Sequence, residues 1–192
     1  MKKTAGLIGL LSVSLFVISL IVFGSLHPKW NFLNNFISQL GAKGEPLALW
    51  WNLIGFVNVG LLLLLFGLYY GKVLKDKLAG ILLSLFGLGF ALTAIPTDEL
   101  DSKSAVSKAH VVAICFALAF WLFGLARISS NGSNSAQIRY RANIAAVLLV
   151  SSMIGFAIGL WSMPLTHRLV FAVVFGWTAW TSFGLLRHSF QK

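Results

Sequence analysis

Six stretches of the chain, about 5–26, 49–71, 78–95, 110–126, 142–163 and 168–187, are apolar and carry no Asp, Glu, Lys or Arg in their interiors. The hydrocarbon core of a bilayer is about 30 Å thick and takes roughly 20 apolar residues per helix. One central charge costs about 3 kcal/mol on the insertion scale, against a gain of about 0.5 kcal/mol for each Leu. Each stretch therefore inserts without a paired charge to help it. The expected fold is all-α: one domain over 1–192, a polytopic bundle of six transmembrane helices. Composition agrees, since 58% of the chain is hydrophobic and 10% charged, whereas a soluble domain carries about 25% charged residues.

The first stretch follows Lys2 and Lys3 as a signal peptide would. It is longer than a signal-peptide core and no small-residue cleavage motif follows, so it reads as a retained anchor.

Basic residues set the orientation. Lys2, Lys3, Lys72, Lys75, Lys77, Arg127, Arg139, Arg141, Arg187 and Lys192 fall at one set of helix ends, and Lys29, Lys43, Lys103, Lys108 and Arg168 at the other. The richer set belongs inside, which puts both termini in the cytoplasm of a multi-pass inner (plasma) membrane protein. Asp76 is then the only acid inside. Glu45, Asp98, Glu99 and Asp101 lie outside with His27, His110 and His167, while His188 is inside. Trp30, Trp50, Trp51 and Trp161 fall near the outer interface, where an aromatic belt belongs. The net charge of +10 does not point to nucleic acid, because no basic helix face or aromatic-basic motif accompanies it. Contact with anionic membrane lipid is the expectation instead.

The outer loops concentrate the polar chemistry. In the first, "HPKWNFLNNFISQLGAKGEP", apolar residues recur at helical spacing from Trp30 to Leu40, with Asn31, Asn34, Asn35, Ser38 and Gln39 on the other face. This predicts a short amphipathic helix at the interface, either a plain anchor or a lid over a polar pocket. The second loop holds Asp98, Glu99 and Asp101 after Pro96, with Ser107 as a helix cap; surface pairing with Lys103 and Lys108 would also account for these acids. The third, "MPLTHR", is a tight loop presenting His167 and Arg168. Pro28, Pro96 and Pro164 recur every 68 residues. That recurrence reads either as a triplicated hairpin or as the ordinary use of Pro at helix ends. Cys115 sits in an apolar run with no CxxC spacing and reads as a packing residue.

"FISQLG" after the first stretch, "WWNLIG" opening the second, and "IPTD" followed by a His opening the fourth resemble the domain-of-unknown-function 998 family of prokaryotic membrane proteins. The resemblance implies six helices and draws attention to Ser38, Asn52, Pro96, Asp98 and His110.

Two functions from different classes remain open at this point. In the first, His27, Asp98, His110 and His167 supply the ligand types of a zinc site with an open position. Glu99 or Asp101 then acts as general base on a metal-bound water, in hydrolysis of a lipid or amphiphile. A metal-free form keeps Asp98 and His110 as an acid/base pair, with Ser38 as nucleophile. In the second, Asn31, Asn34, Ser38, Asn52, Asp98, His110 and Arg168 bind a lipid headgroup without chemistry, in a sensor or scaffold. No haem is expected, since His188 stands alone inside, and no nucleotide is expected. A coupled transporter would need ionisable groups near midplane, and the six stretches have none.

Overall fold

The computed structural model describes residues 1–101 and 103–187; His188 and Lys192 lie outside them. The described residues are helical and contain no strand. The helices are α1 (Lys2–Leu26), α2 (Ala48–Leu74), α3 (Lys77–Leu92), α4 (Ala105–Ser130), α5 (Ala136–Ala157) and α6 (Met163–Arg187). Five are long and apolar enough to cross a membrane, and α3 is a shorter apolar helix. At 16 residues it rises about 24 Å, short of the hydrocarbon thickness. Large apolar side chains such as Leu11, Ile18, Phe116, Val147 and Phe183 cover the outside. These features mark a multi-pass membrane protein.

Each helix packs against its chain neighbours, and α6 returns to α1, so the six close into a ring. Aromatic side chains fill the middle. Phe16 of α1 stacks on Phe175 of α6 at 4.1 Å and meets Phe90 of α3 edge-on. Trp121 of α4 meets Trp177 of α6 at 5.8 Å. Lipid tails are as apolar as Leu, so burial alone does not drive helices together in a bilayer; close backbone approach does. The α2/α3 hairpin achieves it with glycine. A Cβ on Gly71 would stand 2.4 Å from Gly80 Cα, and one on Gly87 would stand 2.2 Å from Leu64 N. Ser84 Oγ donates across this contact to Leu64 O at 3.1 Å.

Several helix ends depart from the sequence reading. Ser104, not Ser107, caps α4 by accepting from Ser107 N, so the helix starts before His110. The "MPLTHR" segment is not a loop but the first turns of α6. Pro164 therefore opens a helix, where its missing N–H costs nothing, instead of ending one. The amphipathic helix expected in the first loop is replaced by turns and a five-residue 3₁₀ helix, Ile37–Gly41. Ile37 and Leu40 insert into the core rather than facing lipid. Trp51 is fully buried under that segment and does not belong to a belt. Cys115 lies exposed on the outer surface of α4, not packed inside.

At the end of the bundle bearing Lys2, a buried carboxylate joins three elements. Asp76 caps α3 by accepting from Ala79 N at 3.1 Å, and also accepts from Arg127 Nε at 2.9 Å and Asn131 Nδ2 at 2.8 Å. Burial alone pushes this carboxyl up. The Ala79 N–H, the Asn131 amide and the Arg127 guanidinium outweigh it and hold the group below the usual carboxylate range. Stability from a depressed carboxyl is complete above its unfolded value, about pH 4, and is lost as pH falls through the lower folded value. Asp76→Asn is expected to lower unfolding stability at neutral pH by about 1–3 kcal/mol. It should also remove part of the acid-induced fall in melting temperature. A melting series from pH 7 to pH 3 on both proteins in detergent checks it; parallel curves would contradict the assignment.

Candidate functional site

The polar residues singled out from the sequence lie at the opposite end, around the 27–47 segment. Pro28 stops α1, and the chain then folds back over the bundle. Trp30 Nε1 donates to Phe36 O at 3.0 Å. Asn31 Oδ1 accepts from Leu33 N and Asn34 N, which closes a local turn. Asn31 and Asn34 are exposed, and Ser38 is half-buried on the 3₁₀ helix.

Four attachments hold this segment down. Arg168, buried in the second turn of α6, donates through Nε to Phe32 O at 2.7 Å and through Nη1 to Pro164 O at 3.1 Å, and its Nη2 donates to Asn35 O. Its guanidinium also lies over the Phe32 ring at 5.2 Å. Asn52 Nδ2 donates to Gly41 O at 2.9 Å, and a Cβ on Gly41 would fall 1.9 Å from Asn52 Oδ1, so only glycine permits that approach. Lys43 N donates to Thr97 O at 2.8 Å, joining the two loops. His27 Nε2 meets Glu45 Oε2 at 2.6 Å, joining the two ends of the segment.

The second loop is organised around Ser107 and Asp98. Asp98 N donates to Ser107 Oγ at 2.9 Å, and Asp98 Oδ1 accepts from Leu100 N and Asp101 N. Asp98 Oδ2 lies 3.5 Å from Lys43 Nζ. Glu99 and Asp101 are exposed, and Asp101 Oδ1 accepts from Lys103 N. His110 is buried on α4 and shares 2.9 Å with Ile95 O through Nδ1. A carbonyl only accepts, so Nδ1 donates to it, and the Thr93 backbone carbonyl is a second acceptor near the ring. Phe56 lies edge-on to it at 6.3 Å. His167 packs on Phe36 at 5.0 Å and on Phe171 at 6.3 Å, within electrostatic reach of His110.

The expected zinc ligands are thus distributed: His27 with Glu45, Asp98 with Lys43 and its own turn, and His110 and His167 above the aromatic floor. Among the described residues no three His, Cys, Asp or Glu side chains group in a way that could hold a metal ion. Of the expected substrate-binding residues, Asn52 and Arg168 donate to backbone carbonyls of the first loop, which also carries Asn31, Asn34 and Ser38.

Two features of the rim had no counterpart in the sequence reading. One is Glu45 as the partner of His27. The other is the wider π-type winding of α2 over Asn52–Asn58, a geometry that is rare and often found at functional sites. It aims Asn52 at Gly41 while Phe56 faces the core. The Asn at the start of an apolar helix was the available signal, since an unpaired amide there is costly.

The family model described as "Protein of unknown function (DUF998)" matches residues 10–186. No curated protein and no solved structure matches the chain.

Proposed function

The chain belongs to the DUF998 family of proteins of unknown function, and on that footing we propose a non-enzymatic role: a multi-pass protein of the plasma (inner) membrane that binds membrane lipid. Its looped end faces outward and both termini face the cytoplasm, as the excess of Lys and Arg at the Lys2 end favours.

One observation carries the reading. Most of the polar side chains at the outer rim are already engaged by the chain itself; His167 makes ring contacts only, and His27 Nδ1 has no partner among the described residues. Arg168 serves three carbonyls, Asn52 serves Gly41, His110 serves Ile95 and His27 serves Glu45. Donors committed to backbone acceptors rigidify a cap; they are not poised for a substrate. Hydrolysis through a zinc-bound water needs three protein ligands around an open position, and the described residues offer no such group. The metal-free alternative needs Asp98 and Ser38 beside His110, and the bonds that Asp98 makes run to Ser107, Lys43 and its own turn.

Purified protein reconstituted with a total phospholipid extract tests this. The expected result is substoichiometric zinc by elemental analysis and an unchanged lipid profile by mass spectrometry. His110→Ala should lower the melting temperature and leave that profile as it is. Accumulation of hydrolysis products that stops in His110→Ala would overturn the proposal in favour of a rim hydrolase.

A further inference from the structure

A second polar site lies at the Lys2 end of the bundle. A cavity of about 490 Å³ opens between the starts of α1 and α5, the α2/α3 turn and the end of α6. Its walls include Lys2, Lys75, Arg141, Tyr70, Ser135 and Thr181, and among the described residues no Asp or Glu lines it. That volume suits a small ligand, and three cations without a carboxylate set its sign. Asp76, which also lies at this end, is committed to Arg127 and Asn131.

Arg141 is under-used by the protein. Its Nη1 reaches Trp180 O only at 3.5 Å, its guanidinium rests on the Trp180 ring at 4.6 Å, and its Nε is sealed from solvent with no partner among the described residues. A guanidinium offers five donors in a planar fork. Tyr70 supplies an independent pointer. Its side chain is 3% exposed yet lines the cavity, within electrostatic reach of Arg141, and makes no hydrogen bond to a described residue. Its hydroxyl is not sealed in the core, so it is free to donate to a ligand in the cavity. Lys75, held in the left-handed region at φ 55°, and Lys2 are exposed and add charge at the mouth. Ser135 caps α5 there, so the start of that helix adds its positive end.

We propose that this cavity binds a phosphate group, with Arg141 and Tyr70 at its depth and Lys2 and Lys75 at its mouth. The fork of Arg matches phosphate oxygens, and the tyrosine hydroxyl donates to one more. The proposal deepens the lipid-binding reading and rests on it only for the source of the phosphate, which is either a phospholipid headgroup of the adjoining leaflet or a soluble phosphate ester.

Native mass spectrometry of the detergent-purified full chain separates these. With added phosphatidylglycerol the wild type should retain lipid, and with phosphatidylcholine, whose choline is cationic, it should retain less. Arg141→Gln should lower phosphatidylglycerol retention at least about tenfold, the scale of one charge-assisted hydrogen bond. Tyr70→Phe, which removes one oxygen, guards against misfolding and should lower it several-fold. Lys72→Gln, a cation at the same end that does not line this cavity, should retain lipid as the wild type does. A second arm adds inorganic phosphate or glycerol 3-phosphate. If these raise the melting temperature of the wild type but not of Arg141→Gln, and phosphatidylglycerol has no effect, the cavity holds a soluble phosphate. Wild-type retention in both Arg141→Gln and Tyr70→Phe, or equal loss in Lys72→Gln, would overturn the site while leaving lipid binding itself intact. Lipid turnover without retention would instead remove the broader reading.

Discussion

Arg168→Ala is expected to release the 27–47 segment from the bundle and to lower unfolding stability by about 3 kcal/mol or more. Hydrogen bonds to a charged group contribute about 1.5–3 kcal/mol each. Arg168 makes them to Phe32 O, Asn35 O and Pro164 O from a buried position. Alanine leaves those carbonyls without their donor and opens a void beneath Phe32 and Trp30. Arg168→Lys should rescue little, because one ammonium cannot span carbonyls contributed by two separate segments, and it loses the planar contact with the Phe32 ring. Lys29 and Lys43 offer trypsin sites within the segment, so limited proteolysis reads its release directly. Wild type should resist cleavage at both, whereas Arg168→Ala should be cut quickly at both, with a matching fall in melting temperature. Loss of less than about 0.5 kcal/mol with unchanged proteolysis, as for an ordinary surface substitution, would show that the clamp is not what seals the rim.

Gly87→Leu should have an effect of similar size through sterics alone. The Cβ it introduces would lie 2.2 Å from Leu64 N and 2.7 Å from Leu64 Cα. Both are backbone atoms of α2, so no side chain can turn aside and the helices must part. Overpacking costs about 1–3 kcal/mol where neighbours can yield, and here separation would also break the Ser84 to Leu64 hydrogen bond. Gly176 provides the internal control, because a Cβ there meets nothing within 4 Å. Gly176→Ala is expected to be neutral or stabilising by up to about 1 kcal/mol, from helix propensity. Thermal unfolding of the two variants in one detergent decides it. Equal melting temperatures would mean that the α2/α3 helices are less tightly apposed than these distances require.

The helices were legible in the sequence because each apolar run commits some 20 residues to one solvent, and a mistake over any of them costs several kcal/mol. Their ends were less so. Ser104 and Ser107 are equally good caps by residue type, and only the loop returning to Asp98 selects Ser104. The residues that fasten the rim were legible as residue types but not as a set of partners, and the reason is physical. Arg168, Asn52 and His110 use backbone carbonyls of Phe32, Gly41 and Ile95, and every residue has a carbonyl, so no side chain advertises the match. The Asp76 partners lie 51 and 55 residues away. Asp before a helix signals a cap, but nothing in that pattern names Arg127. The cationic cavity is assembled from four separate parts of the chain, which spacing cannot reveal.

The π-type winding at Asn52–Asn58 makes chain length, as well as residue type, part of the specification of the rim. An α-helix advances about 100° per residue, and a wider turn accommodates one residue more without rotating the remainder of the helix. Deleting one residue from 53–55 would restore a regular helix and leave Asn52 and Trp51 close to their present orientation relative to Phe56, whereas adding one would swing them about a quarter turn. No substitution would restore both orientations at once. Relatives that keep the rim attachment should therefore have either this count of residues between Asn52 and Phe56 or one fewer, and not one more.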